Sequence, residues 1–141
     1  MATITRFEDI QAWQKARALC KEVYSMVMSS GLAKDFKTRD QIIAASGSVM
    51  DNIAEGFSRG GTLEFIQFLE IANGSVNEVQ SQLYRIMDIG YINQTRFDSM
   101  YSLANEVKAK LIAFINYLKS SGISGSKFKD RAVKSNLKLR T

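Results

Sequence analysis

The chain has 141 residues, 45% of them hydrophobic, with 19 Lys and Arg against 14 Asp and Glu, no histidine, no proline and one cysteine. That is enough length and apolar content for one domain with its own core, which excludes a disordered chain and an intrachain disulfide framework. No apolar run reaches about 18 residues, so no membrane-spanning helix is expected, and with no apolar signal region at the start a cytoplasmic location is the default expectation.

Four segments run from a threonine to a glycine with helical periodicity between: Thr5 to Gly31, Thr38 to Gly60, Thr62 to Gly90 and Thr95 to Gly122. Threonine can cap a helix start with its hydroxyl, and glycine commonly ends one in the left-handed conformation. Glu8, Gln41 and Asp98 follow three of the threonines at capping-box spacing, and Glu64 sits in the first turn of the remaining segment, where the helix dipole favours an acid.

The first segment carries its apolar stripe as Ile10, Trp13, Ala16, Cys20, Val23 and Val27. The second places Ile42, Ala45, Ser46, Val49, Ile53 and Gly56 on one face. Ile43, Met50, Ala54 and Phe57 lie to the side of that face, so the apolar arc exceeds half the circumference. The third has a clean seam: Phe65, Leu69, Ala72, Val76, Val79, Leu83 and Ile86. The fourth repeats it with Phe97, Met100, Ala104, Val107, Leu111, Phe114 and Leu118, with Ile112 and Ile115 as apolar surplus. Short connections make successive helices antiparallel, which predicts an all-α, up-down-up-down four-helix bundle over residues 1–121. The surplus residues Ile43, Met50, Phe57, Ile112 and Ile115 are expected to form a homo-oligomer interface. Gly47 and Gly74, both inside helices, fall at one height when the chain folds at Gly60-Gly61. A subunit contact and local helix bending explain them equally well.

Little in the sequence points to catalysis. Without histidine the commonest general base and metal ligand is missing. Cys20 lies on an apolar stripe with no activating base in view, so it reads as a small core residue. Asn52, Glu55 and Arg59 share a polar strip on the second segment, and Glu78 lies on a comparable strip of the third. Di-metal bundle sites need Glu-x-x-His pairs, which this chain cannot supply. These four residues are therefore expected to hydrogen-bond and fix helix register or subunit geometry, with no metal, cofactor or catalytic residue.

The net charge of +5 sits in the last 20 residues. Lys127, Lys129, Arg131, Lys134, Lys138 and Arg140 stand there against Asp130, and the 13 basic and 13 acidic residues before position 122 cancel. This basic C-terminal tail, residues 122–141, has three readings: a disordered solubility tail, a phosphate-binding segment for RNA or DNA, or a contact for an acidic protein.

Gln41-Ile42, Ala44-Ala45-Ser46, Asn52-Ile53-Ala54-Glu55-Gly56, Arg59, Glu64-Phe65 and Ile71-Ala72-Asn73-Gly74-Ser75 with Glu78 form a pattern. Phe7-Glu8-Asp9-Ile10, Trp13-Gln14-Lys15-Ala16, Leu83 and Gly90-Tyr91-Ile92 extend it. Together they resemble the bacterial four-helix-bundle proteins encoded by intervening sequences in large-subunit ribosomal RNA genes. This chain has Ile43 and Ala44 where that family commonly carries arginine, which weakens any basic surface there. The resemblance implies an antiparallel bundle assembled as a ring, with pentamers the expected form, and no known catalytic activity. A related bundle accompanies the reverse transcriptases of diversity-generating retroelements, where it contacts nucleic acid and polymerase. Two functions follow as expectations. One is a non-enzymatic oligomeric accessory protein that binds nucleic acid, RNA before DNA, through the tail cations. The other is a homo-oligomeric protein–protein scaffold with no nucleic-acid role.

Overall fold

The alternating three- and four-residue apolar spacing becomes four antiparallel helices in a computed structural model that describes residues 4–121. They are α1 (Gln11–Met28), α2 (Phe36–Arg59), α3 (Thr62–Ile89) and α4 (Gln94–Ser120), with 3-10 turns at Phe7–Asp9 and Gly31–Lys34. Each helix packs on its neighbours in the cycle α1, α2, α3, α4, and α2 packs most extensively on α3. The helices therefore stand at the four corners of a bundle.

The seams read from α2, α3 and α4 are the buried faces of those helices. The face of α1 differs: Ala12, Leu19 and Met26 join Ala16, Val23 and Val27 inside, while Trp13 and Cys20 are half-buried. Ala12 and Leu19 take the places expected of Trp13 and Cys20, which border the seam one position away.

None of the four threonines caps its helix. The chain before α1 makes a 3-10 turn instead, Ile10 is extended and buried, and the Phe7 ring meets Trp13 edge-on at 5.1 Å. Docking Phe7 and Ile10 wins over extending the helix back to Thr5. Asp35 caps α2, Gly61 precedes α3, and Asn93 caps α4 by accepting from the Arg96 amide at 2.8 Å. Asp and Asn outrank Thr as caps, so a better residue two or three positions upstream takes the role. Gly60 and Gly90 do adopt the left-handed conformation, with φ of 85° and 102°. At the end of α1, Ser29 and Ser30 turn their hydroxyls back on the Ser25 and Met26 carbonyls at 2.8 Å each, so the helix stops before Gly31. Gly31 instead leaves room for the Tyr91 ring, which would lie 3.2 Å from any Cβ there.

Asp35 ties two connections together. One carboxylate oxygen accepts from the Thr38 amide at 3.2 Å and the other from the Tyr91 hydroxyl at 3.0 Å. The amide first and the hydroxyl second hold this carboxyl below the usual aspartate value of 3.8. A carboxyl lowered in the folded state adds stability above its unfolded pKa and loses it as pH falls through the folded value. The melting temperature should therefore fall below about pH 4. Asp35→Asn, which keeps a capping oxygen, should lose less stability over that window. Melting curves of both proteins from neutral to acid pH check this, and equal slopes would contradict it.

Candidate functional site

The polar strips of α2 and α3 meet at mid-height. The Ser48 and Ser75 hydroxyls lie 2.9 Å apart, and Asn52 Nδ2 donates to the Ser48 carbonyl at 2.8 Å and to its hydroxyl at 2.9 Å. Asn52 thus supports a register-fixing link whose second helix contributes Ser75. Glu55 and Arg59 form an i,i+4 pair at 3.0 Å, and the Arg59 guanidinium lies over the Phe68 ring at 5.2 Å. Both residues are exposed, as is Glu78. Asn52 and the Glu55–Arg59 pair thus bond within the chain, while the charged ends of Glu55, Arg59 and Glu78 reach water, and an exposed pair of this kind adds little stability. Glu55 pairs with Arg59 one turn along α2.

Glu78 borders an open groove between α2 and α3 with Gln41, Ala44, Ser81, Gln82 and Arg85. Arg85 Nη2 donates to Gln41 Oε1 across it at 3.2 Å. Gln82 is only 7% exposed, and its buried Oε1 accepts no hydrogen bond. Asn73 Oδ1, on the α4 side of the same helix, is likewise buried without a donor. Buried amide oxygens in folded proteins are nearly always paired. Both unpaired oxygens lie on a single helix, α3.

The expected oligomer residues divide. Ile43, Met50 and Phe57 recur every seven residues along α2, half-buried against the chain's own core, and Ile112 is 43% exposed on α4. Ile115 is 7% exposed, which leaves it almost no surface to offer a second copy, contrary to expectation. It lies four residues after Leu111 and three before Leu118, on the stripe α4 turns inward.

Cys20 donates its S–H to the Ser46 carbonyl at 3.2 Å. Burial, more than any other influence, pushes its thiol above the ordinary value of 9.0, so the reactive thiolate is disfavoured at neutral pH.

Charge is polarised across the bundle although the bundle is neutral. The adjacent helices α1 and α4 carry seven cations (Lys15, Arg17 and Lys21 on one; Arg96, Lys108, Lys110 and Lys119 on the other) against three carboxylates. The adjacent helices α2 and α3 carry four cations against seven carboxylates. Adding charges along the sequence hides this, because the two signs separate only when the helices are placed in space. Of the cations named for nucleic acid, Lys127, Lys129, Arg131, Lys134, Lys138 and Arg140, all lie outside the described residues.

Fold and surface define a small all-α bundle whose distinguishing features are its outer faces. The chain belongs to the 23S rRNA-intervening sequence protein family, whose model matches residues 8–113. Among solved structures it is similar to a crystal structure of a protein with unknown function from the S23 ribosomal protein family of Bacteroides thetaiotaomicron VPI-5482. The identity is 24%, the match covers 74% of this chain and 95% of that one, and the TM-score is 0.68. That likeness shows a shared fold. No curated protein matches this chain. No helix among the described residues is long and apolar enough to cross a membrane.

Proposed function

We propose that this protein is a non-enzymatic, homo-oligomeric accessory protein that binds nucleic acid, RNA in preference to DNA, through Lys127, Lys129, Arg131, Lys134, Lys138 and Arg140. One observation carries the reading: a charge-neutral bundle is followed by 20 residues with six cations and one carboxylate. Such a segment neutralises phosphates and releases counterions without reading sequence. An assembly of several copies, as a ring such as a pentamer, multiplies weak contacts along one polyanion. The missing histidine and the raised thiol of Cys20 weigh against an enzyme. Exposed apolar residues on α3 favour a second reading, a protein scaffold that recruits its partner by apolar docking.

Salt separates the two. Binding of a labelled structured RNA should weaken steeply as salt rises, with a log–log slope of roughly −4 to −5 for six neutralised phosphates per copy. Replacing the six tail cations by glutamine should abolish most of that binding. A variant so neutralised that keeps full affinity at low salt would overturn the assignment to the tail.

A further inference from the structure

The outward side of α3 is unlike the outside of an isolated bundle helix. Among the described residues eight large hydrophobic side chains are exposed, and four are on α3: Leu63, Ile71, Tyr84 and Ile89. At about 100° per residue these four fall within an arc of about 140° that contains Gly74. Gly74 is close to the middle of the helix, and a Cβ placed there meets no atom within 4 Å. A glycine inside a helix weakens it relative to alanine, and nothing within the chain requires this one. The two unpartnered amide oxygens flank the same arc, Asn73 on one edge and Gln82, 93% buried, on the other. Apolar surface and space for close approach therefore coincide on one helix face.

The charge of that face selects what covers it. α3 carries Glu64, Glu70, Glu78 and Asp88 against Arg85. Among the described residues only Glu70 has a cation partner, Lys119 at 3.5 Å. Two α3 faces would repel one another, so a symmetric α3–α3 contact is disfavoured. The occupant must bring positive charge, and the α1/α4 side of the same molecule has it.

We propose that the outward face of α3 is the docking surface for a second copy of this chain, which meets it with the basic α4 side of its α1/α4 pair. This rests on the reading that the chain self-associates, and it moves the interface from the apolar surplus of α2 and α4 to α3. Lysines from α4 supply donors to the carboxylates. Gly74 lets the incoming helix come close, and Leu63, Ile71 and Ile89 lose water. The contact is heterologous. Because α3 and α4 occupy adjacent corners of the bundle, each copy turns relative to the last, and repetition gives a ring where that rotation closes.

The test is paired charge reversal in the full chain, read by light scattering coupled to size exclusion, with circular dichroism to confirm helix content. Glu78→Lys with Asp88→Lys should reduce the assembly to the 15.8 kDa single chain, and Lys108→Glu with Lys110→Glu should do the same. All four substitutions together should restore it. Gly74→Trp, built into open space, should leave the helices folded and abolish assembly. An oligomer that survives the α3 reversal and Gly74→Trp would overturn this interface while leaving self-association standing. A quadruple variant that is folded but monomeric would overturn the α3–α4 pairing. A wild-type monomer would overturn both the interface and the oligomeric reading.

Discussion

Replacing Phe65 with alanine lowers the stability of the bundle by about 3–5 kcal/mol, the range for removing a large buried ring from a close-packed core. Phe65 is fully buried, and its ring meets Phe114 edge-on at 5.4 Å and Phe57 at 6.0 Å. Three helices therefore lose contacts at once, because these residues belong to α2, α3 and α4. The space cannot refill cheaply, since both neighbouring rings are set by their own helices. In thermal unfolding the midpoint should drop by roughly 10–20 °C for a domain of this size. A drop of only a few degrees would show that the rings are loosely packed and that the core is centred elsewhere.

Gly56→Ala also destabilises, although alanine is the best helix former and glycine among the worst. A Cβ at position 56 would lie 2.6 Å from Phe68 Cβ and 2.9 Å from Phe65 Cδ1. Phe68 Cβ is attached to the backbone and cannot swing away, so α2 and α3 must separate. Overpacking of this kind costs about 1–3 kcal/mol, and the gain in helix propensity offsets at most about 1 kcal/mol of it. Gly47→Ala is the matched comparison: its Cβ meets nothing within 4 Å, so it should stabilise by roughly 0.5–1 kcal/mol. Denaturant unfolding of the two variants should give opposite signs. Equal effects would mean that helix propensity alone governs both sites. The glycine of the Asn-Ile-Ala-Glu-Gly run thus has a packing cause, a close approach of α2 to α3.

Most of the bundle is legible in the sequence because burial on a helix follows a fixed period. The seven seam positions on α3 and the seven on α4 are all buried, and α2 turns inward the six residues its wheel selects. Helix ends are less legible. Thr5, Thr38, Thr62 and Thr95 all have good cap chemistry, but Asp35 and Asn93 compete from a few residues upstream, and only tertiary contacts such as Tyr91 on Asp35 settle the choice. The surface is the least legible part. Ile115 looks like surplus on a helical wheel because the wheel assumes a narrow core face, whereas α4 turns a wider one inward. Glu55 and Glu78 look like partners when strips are aligned by number, yet Glu55 takes the cation one turn away. The outer face of α3 is hidden in the sequence for a related reason. Leu63, Ile71, Tyr84 and Ile89 are interleaved with carboxylates, so no apolar run marks them. The unpaired oxygen of Gln82 exists only once α2 covers it.

The central claim, a bundle that assembles and holds polyanions through its basic C-terminal residues, is tested most directly by one measurement. Light scattering coupled to size exclusion on the full chain, with and without a labelled structured RNA, at low and near-physiological salt, reads assembly and binding together. The account predicts a discrete oligomer that gains RNA at low salt and releases it as salt rises. An oligomer indifferent to RNA at low salt, or RNA binding that salt does not weaken, would contradict it.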